Sequence, residues 1–220
     1  MTRPIARVAD TTLGDFTRAL ASERPTPGGG SAAALAAALA ASLTAMVVRL
    51  SLVRPRYAQH AALHEEALAA SDGARERFLE LADDDAIAYA AFMEAGRLPK
   101  GSYEEEPKRA SASREAARLA ATVPLTIVQA CHAQVDLVQR LAGRSNDNVA
   151  SDLDVAALLL ESAARGAASN VVVNLPAVED GGFSDAVLAE LDQRLRQIQG
   201  TTARTRERIR KGGQRKPESA

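Results

Sequence analysis

Apolar residues recur along nearly the whole chain at three- and four-residue spacing, and no segment alternates in the manner of a strand. The pattern predicts an all-α protein, a single-domain bundle of about six helices. A short first helix is expected from Thr12, with Leu13, Phe16, Ala19 and Leu20 on one face. The second spans about 31–52 and ends where Arg54-Pro55 disfavours continuation. A third runs from about 56 to 95, weakened at Ser71–Gly73, and a fourth from about 103 to 142 must kink or divide at Pro124. Gly143 closes it, Ser151 caps a fifth helix that reaches Asn174, and a sixth begins near Ser184.

The second helix is unusual in content. Ala32 to Val48 holds nine alanines and no charge. Alanine is the best helix former and lets neighbouring backbones come close. Ala32, Ala36, Leu39, Leu43, Met46 and Leu50 make one stripe, and further alanines cover the rest, so this helix is expected to be central and buried nearly all round. Six helices in one subunit surround it poorly, which predicts a homodimer. The run is long enough to raise the question of a membrane span, but alanine contributes little to insertion, and a buried core helix is expected instead.

Composition narrows the classes. A formal charge of −1 gives no general pull toward nucleic acid or an anionic membrane, and 3% aromatics with no Trp provide few platforms for stacked bases. Cys131 stands alone, so no intrachain disulfide forms, and Met1 to Arg7 has no apolar signal core. A cytoplasmic protein is expected. Residues 1–200 read as one helical domain; from Thr201, seven Arg and Lys oppose two Glu, and 201–220 is expected to be a frayed basic tail.

Chemistry is expected in a few places. Pro25-Thr-Pro-Gly-Gly-Gly-Ser31 is a stiff approach followed by permissive backbone, with Ser31 as the expected N-cap of the alanine helix. The exposed N–H groups there form a seat for an anion or a polar ligand edge, which makes Gly28, Gly29, Gly30 and Ser31 candidate binding residues. Neither the P-loop nor the dinucleotide fingerprint fits. Asp83, Asp84 and Asp85 sit in the middle of the third helix, where the dipole does not favour them. Asp85 falls on the apolar stripe of Phe78, Leu81, Ala82, Ala88, Tyr89 and Phe92, where desolvation raises a carboxyl pKa into the range of a useful acid or base. Asp83 lies about 200° away around the axis, and Asp84 reads as solvated. Asn146, Asn148, Ser151 and Asp152 cluster at a helix start and offer donors and acceptors to a ring. Asn170 and Asn174 share a face of that helix, with no role beyond helix-to-helix hydrogen bonding assigned. His60 and His64 lack a third ligand, so no metal site is expected, and surface or interface positions suit all three histidines.

These motifs carry a resemblance. PTPGGGS with the alanine run, Ala82–Tyr89, Arg97-Leu-Pro-Lys100, Val123–Leu125, Asn146 and Asn148 before Ser151-Asp152, and Asn170–Leu175 occur in an order similar to the cyclodeaminase/cyclohydrolase family. The likeness runs from about Leu13 to about Arg196. It implies a dimeric folate enzyme that hydrolyses 5,10-methenyltetrahydrofolate or closes 5-formiminotetrahydrofolate with loss of ammonia, with no cofactor beyond the tetrahydrofolate substrate. Asp85 and Asp83 both fall in the family's acidic motif, and Asp85 is the expected catalytic carboxylate. The glycine loop and the Asn146–Asp152 cluster are expected to cradle the pterin, and Lys100 to meet the glutamate carboxylates. Nothing in the chain reads as a formiminotransferase domain, so the cyclohydrolase is the favoured reading. The cyclodeaminase, and a non-catalytic helical dimer that binds folate or a partner protein, are the alternatives.

Overall fold

The computed structural model describes residues 7–218; Met1 to Ala6, most of the segment expected to lack a signal core, lie outside them, as do Ser219 and Ala220. The helices are α1 (Leu13–Leu20), α2 (Gly29–Leu52), α3 (Ala61–Arg97), α4 (Glu105–Leu141), α5 (Ala150–Asn174) and α6 (Gly181–Lys211). No strand occurs among the described residues. α2 packs between α3 and α5, α4 packs on the same two helices from the opposite side, and α6 lies against α4 and α5. The all-α bundle expected from the periodicity is therefore a four-helix ring with a fifth long helix laid over one groove.

Alanine sets the spacing inside the ring. Ala33, Ala34, Ala37, Ala38, Ala40, Ala41 and Ala45 of α2 are buried, and Gly166 of α5 comes close enough that a Cβ there would lie 3.6 Å from Ala33 Cβ. Yet α2 is not buried all round within one chain. The Ala32–Leu50 stripe faces outward, with Leu39 at 51% and Leu50 at 38% exposure. By length and composition α2 is the one described helix apolar enough to cross a bilayer, and 61% of its most apolar window is buried inside the fold.

Several helix boundaries differ from expectation, each for a local reason. α2 begins at Gly29 with Gly28 as its N-cap, and Ser31 is not a cap but a buried first-turn residue. α5 begins at Ala150, which leaves Ser151 exposed in its first turn rather than capping it. α3 runs unbroken through Ser71–Gly73, because Ala67, Ser71 and Phe78 continue one buried face. α4 is not divided at Pro124. The carbonyl of Ala120, which Pro124 leaves without its intrahelical donor, accepts a hydrogen bond from Asn174 Nδ2 at 2.9 Å.

The polar residues at the other end of the bundle are also tied in. His60 and His64, expected at a surface, are buried; His64 Nε2 lies 2.9 Å from the Arg144 carbonyl, and neither His60 nitrogen has a partner in the described protein. The chain does not fray at Thr201. α6 continues to Lys211 with Thr201, Thr202 and Thr205 buried, and beyond it Arg215 N–H donates to Gly143 O at 2.7 Å. Gly143, at φ +77°, makes the turn that presents this carbonyl.

Candidate active site

The Pro25–Ser31 loop crosses the face of α3 that carries Asp85. Ser31 donates its backbone N–H (2.9 Å) and its Oγ–H (3.0 Å) to Asp85 Oδ2, and the same hydroxyl lies 3.0 Å from the Ala82 carbonyl. The anion seat expected at the start of α2 is thus filled by the protein's own carboxylate. Gly30 explains the glycine run: a Cβ at that position would overlap the Asp85 carboxylate. Burial pushes the Asp85 carboxyl above its ordinary range, and the two Ser31 hydrogen bonds oppose that rise. Oδ1 accepts no hydrogen bond among the described residues.

A cavity of about 220 Å³ opens beside this carboxylate. The loop glycines Gly28, Gly29 and Gly30 form one wall, and Asp85, Tyr89 and Phe92 of α3 another. Asn170 and Asn174, at the C-terminal end of α5, complete it. These two asparagines, for which the sequence predicts only helix-to-helix hydrogen bonding, lie against the glycine loop. Asn170 Nδ2 donates to Gly166 O at 2.9 Å, and a Cβ on Gly29 would lie 3.4 Å from that nitrogen. The signal available in the sequence was Pro124, which requires an outside donor for Ala120, and two asparagines one turn apart in an apolar helix.

Other expected site residues lie elsewhere. Asp83 accepts from Val8 N–H at 2.8 Å and faces a second cavity, of about 640 Å³, on the other side of the loop. It anchors the segment before α1 and does not share the Asp85 cavity, as the angle around the helix required. Asp84 pairs with Arg77 at 3.5 Å near the surface. Lys100, in the turn after α3, is exposed and lines neither cavity.

The Asn146–Asp152 cluster is a structural joint rather than part of this cradle. Asn146 is buried; its N–H donates to Ser51 Oγ at 2.9 Å, and its Oδ1 caps Asn148 N–H at 3.1 Å. Ser51 is about 30 Å along α2 from Ser31 at 1.5 Å per residue, so Asn146, Asn148 and Asp152 sit at the far end of the bundle. A larger groove, of about 760 Å³, runs between α3 and α4, but its apolar floor has only rim charges such as Glu94 and Glu115.

The bundle thus holds a small cleft lined by one desolvated carboxylate, a combination of cavity and perturbed acid that makes it the candidate site. Comparison with known proteins gives it a lineage. Residues 12–193 match the Formiminotransferase-cyclodeaminase family. A methenyltetrahydrofolate cyclohydrolase from Methylorubrum extorquens is 36% identical over 199 residues, 90% of this chain and 96% of that protein. The mouse formimidoyltransferase-cyclodeaminase is 34% identical over 182 residues, and the match spans only 34% of its length. The crystal structure of formiminotetrahydrofolate cyclodeaminase from Thermotoga maritima superposes with a TM-score of 0.84 at 27% identity, over 93% of this chain and 98% of that one. The chain belongs to the formiminotransferase-cyclodeaminase family.

Proposed function

We propose that this chain is a methenyltetrahydrofolate cyclohydrolase. The observation that carries the proposal is Asp85, a desolvated carboxylate with one oxygen held by Ser31 and the other without a hydrogen bond among the described residues, on a side chain that lines a cavity of about 220 Å³. The cyclohydrolase relative is 36% identical over nearly its whole length, against 27% for the cyclodeaminase of similar length, which favours this reaction over ammonia release.

In the reaction, water adds to the carbon between N5 and N10 of the 5,10-methenyl cation. Asp85 Oδ1 takes the water proton as the C–O bond forms, and its charge stabilises the cation it faces. As the C–N5 bond of the tetrahedral carbon breaks, the protonated Asp85 returns its proton to N5, the hydroxyl on that carbon loses its proton to solvent, and the formyl group stays on N10. No cofactor beyond the tetrahydrofolate is needed for this sequence. The same carboxylate serves the cyclodeaminase reaction in reverse order of bond making, and the fold shared with the Thermotoga maritima enzyme supports that second reading.

The working unit of the proposal is a homodimer. Leu39, Met46 and Leu50 on α2 and Val172 and Val173 on α5 are exposed apolar side chains, and Val173 also lines the Asp85 cavity. A second copy covers such a surface at a cost lower than leaving it in water. The test is loss of methenyltetrahydrofolate absorbance above buffer hydrolysis, with 5-formiminotetrahydrofolate and ammonia detection in parallel. Turnover of neither substrate, with folate still bound, would leave the non-catalytic binding protein as the reading.

A further inference from the structure

The hydrogen bonds around Asn170 and Asn174 fix more than helix packing. Asn174 Nδ2 donates to both Ala120 O and Asn170 O, each at 2.9 Å, and Asn170 Nδ2 donates to Gly166 O. Turning either amide over would set its oxygen against those carbonyls, so both flips are decided by the surrounding backbone. Neither Oδ1 accepts a hydrogen bond among the described residues, and both residues line the Asp85 cavity. Pro124 is the source of part of this order. Its missing N–H frees the Ala120 carbonyl, and that carbonyl holds the Asn174 amide.

We infer that Asn170 Oδ1 and Asn174 Oδ1 read the N–H edge of the pterin, with Pro124 as the residue that positions Asn174; the inference rests on the folate reading above. Acceptors on residues one turn apart stand ~6 Å from each other along the helix. They suit the 2-amino group and N8–H, two donors that flank ring nitrogen N1. With Asp85, these acceptors make the cavity selective for a cation rich in N–H groups, and adverse to ring edges that present only acceptors. Pro124, deep in α4, thereby acts on the ligand without touching it.

The test compares ligands before variants. Binding of 5-formyltetrahydrofolate, 2-desamino and 8-deaza analogues is measured by calorimetry on the intact protein. Each analogue lacks one donor and should bind about tenfold or more weakly, because it leaves a desolvated acceptor unpaired. In Asn170→Leu and Asn174→Leu, the penalty for one analogue should disappear while binding of the parent weakens. Pro124→Ala returns an N–H to Ala120 O, so the melting temperature should hold or rise while parent affinity falls. Equal binding of parent and both analogues by the unmodified protein overturns the inference and leaves the folate reading intact. Absence of any binding by 5-formyltetrahydrofolate overturns both.

Discussion

Ser31 grips Asp85 with two donors on one oxygen, its N–H at 2.9 Å and its hydroxyl at 3.0 Å. This contact joins the start of α2 to the middle of α3 and leaves the other carboxylate oxygen without a hydrogen bond among the described residues. It also dictates the residue before it, since only a residue without a Cβ fits beneath the carboxylate at position 30.

Gly30→Ala is therefore expected to push the carboxylate off its seat. Turnover should fall by about 10²-fold, the cost of a displacement near 1 Å at a reacting group. Gly29→Ala is the comparison, because its Cβ meets Asn170 Nδ2 at an ordinary 3.4 Å, and it should change affinity only modestly. Steady-state kinetics on the two variants check the order.

Asp83→Ala should keep activity within a few-fold of the parent. It removes the acceptor for Val8 N–H, and the expected loss is about 1–2 kcal/mol of stability. Denaturant melts beside turnover measurements separate these outcomes, and an inactive but fully stable variant would return Asp83 to the chemistry.

Much of this is legible in the amino-acid sequence. The 3.6-residue stripe placed Asp85 on the buried face of α3 and Asp83 away from it, since both facts depend on one helix alone. What failed required tertiary knowledge. Asn146 and Asn148 resemble ligand groups by type, and only the approach of Ser51 and Leu50 shows Asn146 joining two helix ends, with Asn148 N–H capped by Asn146. Asn170 and Asn174 escaped because the meeting of the α5 C-terminus with the glycine loop is set by α2–α5 packing. His60 and His64 escaped because the segment after α6 folds back beside the Arg144 turn that covers them.

Leu39→Glu tests the outward stripe of α2. At 51% exposure in one chain, Leu39 tolerates a charge in the monomer but not under a partner. Sedimentation at micromolar concentration should show a dimer for the parent and a monomer for the variant. A monomeric parent would remove the proposed dimer.

His60 and His64 are both held below the ordinary histidine pKa, chiefly by burial, so the native state resists their protonation. A group depressed in the folded state gives stability that is complete above its unfolded pKa of about 6.5 and declines as pH falls toward the folded value. Melting temperature should therefore drop between pH 7 and pH 5, and His60→Leu should flatten part of that slope. An unchanged slope in the variant would assign the acid sensitivity elsewhere.

Asp85→Asn tests the central claim most directly. The amide oxygen can still accept from Ser31, and the neutral group avoids the burial cost that raises the carboxyl pKa. Because that pKa is raised on folding, the carboxylate lowers stability as pH climbs through it, so the variant should melt at the same or a higher temperature near neutrality. Its turnover of 5,10-methenyltetrahydrofolate should fall by ~10² to 10⁴, the contribution of a general acid–base group. A folded Asp85→Asn protein that keeps more than about a tenth of the parent rate would contradict the account, since no general acid–base role is that small.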